Sequence, residues 1–373
     1  MSHEEYMRLA LTLARAAKGR TSPNPIVGAV IVQGDRVVGM GAHLKAGTPH
    51  AEVHALQMAG PLAKGATVYV TLEPCAHFGR TPPCADALIA SGVGAVYVAL
   101  EDPNPAVAGL GIARLRAAGI MVSVGLLAEV AQEDNRPYLH YRKTGRAHVT
   151  FKSAMSMDGF IASSNPGAEP YLTGVPARDA VHRLRDQVDG IAVGVGTVLA
   201  DDPLLTTRLA DGIGKNPVRI VFDSQLRTPV EAQILRDRSA PTWLLCGQEA
   251  SAKAEALLNE RGARVLRFAT ADDGHLPLAD VLTRLGQEGI LDLLLEGGQT
   301  LATRFLQAQL VDLLWLFHAP VLLGGGVKVL GAELGVGIRL AHCQISQIGQ
   351  DTLTVAKPVY AADQEGGSRC LQD

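Results

Sequence analysis

Two short stretches bring together three residue types that bind soft divalent metals and one carboxylate that can move protons. PHAEVHAL, residues 49–56, puts His50 two positions before Glu52; EPCAHFGRTPPC, residues 73–84, puts Cys75 and Cys84 at the ends of a Pro- and Gly-rich loop. A catalytic zinc takes three protein ligands and keeps a fourth position for water. His50, Cys75 and Cys84 make such a set, provided the fold brings them to one point. His50 is expected at a helix start, after Pro49, with Glu52 in the first turn, so that both approach the same water. That water, its pKa lowered by zinc, could attack an amidine-like carbon, and Glu52 would pass its proton to the leaving ammonia. A His-x-Glu or a Pro-Cys alone is common and carries little. In this order, with HxE opening a helix and the first Cys following a strand, they follow the zinc nucleobase deaminase pattern. HAEVH is not H-E-x-x-H, which excludes a zincin. His54, one turn beyond His50, reads as a packing residue.

Elements at fixed places must position these groups. In the first half, helical periodicity over 3–18 (Tyr6, Leu9, Ala10, Leu13) is followed by the strand IVGAVIV and the helix HAEVHALQMA. Then come the strand ATVYVTLEP, the helix CADALIASG, the strand AVYVAL, the helix GIARLRAAG and the strand MVSVG. Alternation of this kind predicts an α/β sheet covered on both faces. The pattern loosens into a helix and a polar connector over 128–147 and restarts at VTFKSAMSMDGFIA. A second α/β domain is therefore expected, with boundaries at 1–145 and 146–373. Its predicted parts are the helix RDAVHRLRDQVDG, a strand and loop at IAVGVGTVLADDP, the strands VRIVFDS and PTWLLCG, a strand–Gly turn–helix at LLLEGGQTLATRFLQAQL, and a closing strand in LVDLLWLFHAPVLLGGG. The tail QEGGSRCLQD reads as frayed.

Bulk properties narrow the function classes. The chain has 373 residues, a formal net charge of −3 and 4% aromatic residues, which disfavours a phosphate-tracking or base-stacking surface. No apolar run reaches the roughly 20 residues of a membrane span, and the N-terminus does not read as a secretory signal. Five cysteines (Cys75, Cys84, Cys246, Cys343, Cys370) are too few and too odd in number for a disulfide framework. A cytoplasmic protein with free thiolates is expected.

TSPNPIVGAVIV, HAEVHAL and YVTLEPCAHFGRTPPCADALI, with the second cysteine nine positions after the first, resemble the bifunctional riboflavin-biosynthesis deaminase/reductase family. KSAMSMDGFIA, GVGTVLADDPLLTTR and LEGGQTLATRFL extend the resemblance to its reductase half. The resemblance implies a cytidine-deaminase-like α/β/α sandwich followed by a dihydrofolate-reductase-like α/β domain. It implies one zinc on His50, Cys75 and Cys84, with Glu52 as proton shuttle, and NADPH in the second domain. The implied substrate is 2,5-diamino-6-ribosylamino-4(3H)-pyrimidinone 5′-phosphate. It would lose its C2 amine as ammonia and then have its ribosyl group reduced, giving 5-amino-6-(5-phospho-D-ribitylamino)uracil. Asn24 would line the first pocket, where its plainer reading is a turn residue between two prolines.

In the second domain, GVGTVL lacks the third glycine of G-x-G-x-x-G, so a Rossmann site is not supported. Gly297 and Gly298 stand between an apolar strand and a helix, a place for phosphate at a helix N-terminus, though also an ordinary tight turn. The resemblance assigns Gly297, Gly298, Gln299 and Thr300 to cofactor phosphate, and Ala154, Tyr171, Thr197, Asp201 and Ser224 to further cofactor contacts. Substrate contacts would fall at Glu169, Arg185, Leu205, Arg208 and Glu296. Arg185 and Arg208 could grip a phosphate bidentately or be surface arginines, and Asp201 and Asp202 could orient the sugar or cap a turn. An Asn-Pro-Gly turn and Tyr171 stand where the family has a Ser-rich turn and a Trp, and Phe160 where a basic residue is common. The alternative is a deaminase with a non-catalytic, ligand-binding second domain. A nucleic-acid deaminase is disfavoured by the balanced charge. A homo-oligomer acting on a small molecule, with no nucleic-acid or membrane partner, is expected.

Overall fold

The computed structural model describes residues 1–76, 82–105, 107–165, 167, 171–212, 214–271 and 273–360. The chain forms two compact units, Met1–Gly145 and Arg146–Asp373.

A capping box starts the first unit. The Ser2 hydroxyl accepts from the Glu5 N–H, and the Glu5 carboxylate accepts from the Ser2 N–H, opening α1 (His3–Ala16). β1 (Gly28–Gln33) and β2 (Arg36–Ala42) form an antiparallel pair. α2 (Ala51–Ala59), β3 (Thr67–Val70), α3 (Cys84–Ala90), β4 (Ala95–Val98), α4 (Leu110–Ala117) and β5 (Met121–Val124) follow. The sheet order is β2-β1-β3-β4-β5, with β3, β4 and β5 parallel. The period-2 alternation of β1 supplies both faces. Ala29 and Ile31 pack with α2, α3 and α4, and Val30 and Val32 pack with Met7, Ala10 and Leu11 of α1. This is the expected sandwich. The segment read as a helix plus connector is two helices, α5 (Ala128–Asp134) and α6 (Arg136–Thr144), the second ending at Gly145 in the left-handed region. β2, which the sequence reading passed over, matters for the site. A Cβ at Gly41 would lie 2.2 Å from the Ala51 carbonyl oxygen, so glycine there lets the start of α2 press onto the strand.

In the second unit β6 (His148–Ser156) and β7 (Phe160–Ser163) lead to α7 (Val175–Gln187), β8 (Gly190–Gly194), α8 (Val195–Asp201) and β9 (Val218–Phe222). Then come α9 (Gln233–Arg236), β10 (Thr242–Gly247), α10 (Ala252–Glu260), β11 (Ala263–Phe268) and α11 (Leu278–Gln287). β12 (Asp292–Leu295), α12 (Gln299–Gln307), β13 (Leu313–Ala319), β14 (Gly326–Lys328), β15 (Arg339–Ile348) and β16 (Asp351–Val359) complete it. The main sheet runs β11-β10-β9-β8-β12-β6-β13-β16-β15; β16 is antiparallel to β13 and β15 to β16, and the other neighbours are parallel. One face carries α11 and α12 through Leu282, Leu285 and Phe305, and the other carries Val198 of α8, Ile234 of α9 and Leu258 of α10.

Two expectations are corrected here. The loop predicted after IAVGV is the helix α8, because Val195 and Val198, one turn apart, both find apolar partners. The chain also does not close at β13: the hairpin β15–β16 extends the sheet. The residues of the outer strand β15 are mostly exposed, so they lack the apolar run used to find strands, while β16 is buried or half-buried against β13. The tail over 364–373 lies outside the described residues.

Candidate active sites

β3 and the starts of α2 and α3 converge on one point. His50 is the residue immediately before α2, in extended conformation, Glu52 lies in its first turn, and Cys84 is the first residue of α3. Both helix N-termini thus face a place suited to negative charge. His50 Nδ1 lies 3.6 Å from Cys75 Sγ and 3.2 Å from Cys84 Sγ, and the Cys84 N–H donates to Cys75 Sγ at 3.4 Å. The three ligand atoms lie within 4.8 Å of one another. Tetrahedral zinc would space a nitrogen and a sulfur ligand by about 3.6 Å, so the donor set fits the metal in type and spacing. His54 is not in this cluster. The hydrogen bond from Cys84 holds the Cys75 thiol down to about 4, while the same bond and burial push Cys84 up.

Glu52 is buried, and burial raises its carboxyl to about 7. Its Oε2 has no hydrogen-bond partner. A buried carboxyl near neutrality with an unused oxygen is suited to taking and returning a proton.

A cavity of about 390 Å³ opens onto these groups and is also lined by Asn24, His43, Asp102 and Arg142. Asn24 Nδ2 lies 3.1 Å from His43 Nε2, and His43 Nδ1 lies 3.3 Å from the Pro49 carbonyl. Burial lowers the His43 pKa. A neutral ring with its proton on Nδ1 satisfies both contacts and fixes the Asn24 amide. Two wall-forming residues were not singled out in the sequence. The buried Glu73 carboxylate accepts from the N–H groups of Asp102, Gly109, Gly111 and Ile112, tying the end of β3 to the start of α4. Asp102 in turn accepts from the Tyr138 hydroxyl at 2.9 Å. A lone acid in LEPC gives no sign of these partners, which lie 29–39 positions away.

In the second unit two adjoining cavities lie at the C-terminal ends of the strands. One, about 330 Å³, is lined among others by Lys152, Ala154, Tyr171, Arg185, Arg208 and Glu296. The other, about 530 Å³, is lined among others by Ser224, Arg227, Gln299, Thr300 and Arg304. Thr197, Asp201 and Gly298 border both, and Gly297 borders the first. The two cavities thus gather Ala154, Tyr171, Thr197, Asp201, Ser224 and the 297–300 turn. The side chain of Leu205 does not join them: it is buried in the core, on a backbone with φ 53°. Glu169 lies outside the described residues. Asp202 accepts from the Gln233 N–H at 2.7 Å and is a turn residue, whereas Asp201 faces the cavities.

Arg185 forks onto Glu296 with two bonds of 2.8 Å and donates a third to the Thr206 carbonyl. Burial opposes ionisation of Glu296, yet Arg185 and Lys152 outweigh it and hold the carboxyl at about 2. Lys152, also missed in the sequence, projects from β6 into the same cavity; burial lowers its pKa and Glu296 opposes that shift. A single lysine in the apolar strand VTFKSAM was its only signal. Burial, then Arg185 and Arg208, depress His182 to about 4, and its Nδ1 accepts from the Arg208 N–H.

Comparison with known proteins matches a described domain in each unit. Residues 1–100 match the cytidine and deoxycytidylate deaminase zinc-binding region, and residues 147–354 match the RibD C-terminal domain. The riboflavin biosynthesis protein RibD of Bacillus amyloliquefaciens is 44% identical over 366 residues, covering 96% of this chain and 97% of that protein. RibD of Escherichia coli (strain K12) is 44% identical, covering 88% and 91%. Acinetobacter baumannii RibD superposes with a TM-score of 0.85 at 36% identity, covering 96% of this chain and 99% of that one. A Thermotoga maritima structure described as a diaminohydroxyphosphoribosylaminopyrimidine deaminase/5-amino-6-(5-phosphoribosylamino)uracil reductase superposes with a TM-score of 0.82 at 31% identity, covering 95% and 98%. With a zinc-binding deaminase domain followed by a reductase domain, the chain belongs to the RibD family of bifunctional riboflavin-biosynthesis enzymes.

Proposed function

We propose that residues 1–145 hydrolyse the C2 amine of 2,5-diamino-6-ribosylamino-4(3H)-pyrimidinone 5′-phosphate, and that residues 146–373 then reduce its ribosyl group to ribityl with NADPH. The observation that carries the first step is the convergence of His50, Cys75 and Cys84 beside Glu52. His50 and the two cysteine sulfurs would hold zinc, which when bound supplies the Lewis acidity that makes water nucleophilic near neutral pH. Glu52 takes the water's proton as the C–O bond forms and gives it to the amine as the C–N bond breaks, releasing ammonia. Asn24, fixed by His43, orients the pyrimidine through its carbonyl oxygen. The wall built on Glu73, Asp102 and Tyr138 keeps the ring against Glu52.

In the second step, bound NADPH supplies the hydride. Gly297, Gly298, Gln299 and Thr300 offer the N-terminus of α12 to its phosphates. Ala154, Tyr171, Thr197, Asp201 and Ser224 line its path. Lys152, beside Glu296, is placed to give a proton to the sugar oxygen as the ring opens. Arg185 keeps Glu296 ionised, and Arg208, whose side chain among the described residues bonds only the Thr206 hydroxyl, is available to the substrate phosphate. Glu169 and Leu205 are assigned to substrate on the resemblance alone.

No described helix is long and apolar enough to cross a membrane. We place the enzyme in the cytoplasm, as a homo-oligomer acting on a small molecule. The test follows ammonia release and NADPH oxidation together on the ribosylamino substrate. Ammonia without NADPH, and oxidation only after ammonia, is the expected result. Ammonia with no oxidation at all would reduce the second unit to a binding module.

A further inference from the structure

β7 and β14 stand outside the nine-stranded sheet of the second unit. They form a two-stranded ribbon of their own, with Val327 opposite Ala162 and Gly326 opposite Ser163. The ribbon lies along the groove given above to the cofactor, so this inference rests on that reading and deepens it. Ile161 borders both cavities, and Ala162 and Val327 border the second, which the first turn of α12 also lines with Gln299 and Thr300. A molecule that fills this cavity against α12 therefore meets the ribbon as well.

The ribbon buries too little to hold its own place. One strand has four residues and the other three, β14 is exposed throughout, and an isolated two-stranded ribbon is marginal in water. Its position rests on a tether at each end. Asp158 stands in the turn from β6 into β7. Its carboxylate accepts from the N–H groups of Leu323 at 3.1 Å and Gly324 at 2.7 Å, which ties the entry of β7 to the chain leading into β14. The Ser156 hydroxyl donates to it at 2.6 Å, and that bond, with the one from Gly324, holds the carboxyl at about 2, so the acceptor is charged at neutral pH. Beyond β14 the chain is clipped to α12. The Gln299 side-chain amide donates to the Leu330 carbonyl at 3.0 Å; the Gly331 N–H donates to the Thr303 hydroxyl at 2.8 Å, and that hydroxyl donates to the Gln299 carbonyl at 2.7 Å. Between the tethers there is no slack, since a Cβ at Gly326 would lie 2.0 Å from the Ala162 carbonyl oxygen. Asp158 itself borders neither cavity. We propose that β7–β14 is a strap over the bound dinucleotide, and that Asp158 is a positioning residue that sets cofactor affinity from outside the groove. A ligand that must order the strap loses affinity when the strap is loosened, because it then meets the cost of ordering it.

The test combines calorimetric binding of NADP⁺ to the full chain with hydrogen exchange over 157–163 and 326–331. In the unaltered protein, bound NADP⁺ is expected to slow exchange in both segments. Asp158→Ala removes the acceptor of three hydrogen bonds. It should weaken NADP⁺ binding and raise the KM for NADPH by about tenfold, with kcat at saturating NADPH held within about twofold. Asp158→Asn keeps one acceptor oxygen and should fall between the two. A retained kcat also reports that the variants are folded. If bound NADP⁺ leaves exchange in both segments unchanged, or if Asp158→Ala binds NADP⁺ as tightly as the unaltered protein, the strap is overturned while cofactor use stands. A fall in kcat with KM unmoved would overturn it too, since Asp158 would then act on the chemistry or the fold and not on cofactor affinity. If the unaltered protein neither binds NADP⁺ nor oxidises NADPH, the cofactor reading itself falls, and the strap with it.

Discussion

Arg185→Met offers the sharpest test of how the second site is held together. The side chains of Arg185 and Glu296 are only 11% and 12% exposed, and two 2.8 Å bonds join them. Removing one partner of a buried pair costs about 3–5 kcal/mol, because the other charge stays buried without its counter-charge. Lys152 still faces Glu296, so the lower end of that range is expected. An independent figure comes from protonation. Glu296 is held at about 2 against the usual 4.5, which is about 2.5 units, or roughly 3 kcal/mol at 1.36 kcal/mol per unit. Because the folded pKa is depressed, this stability is fully present above pH 4.5 and is lost as pH falls through 4.5 toward 2. Both tryptophans, Trp243 and Trp315, lie in the second unit. Urea unfolding followed by tryptophan fluorescence therefore reports that unit alone. Arg185→Met should lower its stability by about 3 kcal/mol at pH 7, and Glu296→Gln should flatten its decline between pH 5 and 2.5. A loss under about 1 kcal/mol together with an unchanged acid slope would refute the claim that this pair fastens α7 to the end of β12.

The other expectations are quicker to state. Glu52→Gln should retain zinc by elemental analysis and lose ammonia release by about 10²–10⁴-fold, with reduction of supplied deaminated substrate unaffected. Cys84→Ser should lose both metal and ammonia release; full metal occupancy would remove Cys84 from the ligand set. Lys152→Met should abolish NADPH oxidation while ammonia still appears. In Gly111→Ala the new Cβ would lie 1.8 Å from the Pro74 carbonyl oxygen. Ammonia release should fall, and tryptophan-reported unfolding of the second unit should not move.

The candidate metal cluster was legible in the sequence because each of its residues announces itself locally. His50 precedes a helix, Cys75 follows a strand, and Cys84 opens a helix, so three local signals sufficed to name the group. The strand-to-helix turn at 297–300 was legible for the same reason, Gly298 standing at the junction, while its proposed part in cofactor binding came from the family resemblance. Lys152, Glu73 and Asp102 were not legible. Lys152 reads as a polar interruption of a strand, and it becomes informative only when Glu296, 144 positions later, lies close enough to oppose its pKa shift. The edge strand β15 leaves no apolar period to read because its residues are mostly exposed, and its partner β16 offers only the short pattern of Leu353, Val355 and Ala356 among polar residues.

The sequence by itself determined the order of the two α/β domains, the His-Cys-Cys-Glu set and the strand–Gly–Gly–helix turn, all features of residues close in the chain. Only the tertiary structure decided that Arg185 serves Glu296, that Asp202 caps a turn while Asp201 faces the cavities, and that Leu205 belongs to the core. It also decided that the Asp223 carboxylate is already engaged, by the N–H groups of Arg227 and Thr228. The reason is physical. A residue's type and neighbours fix what it can do, but whether a charge is paired, free or turned inward depends on partners that folding brings from distant positions.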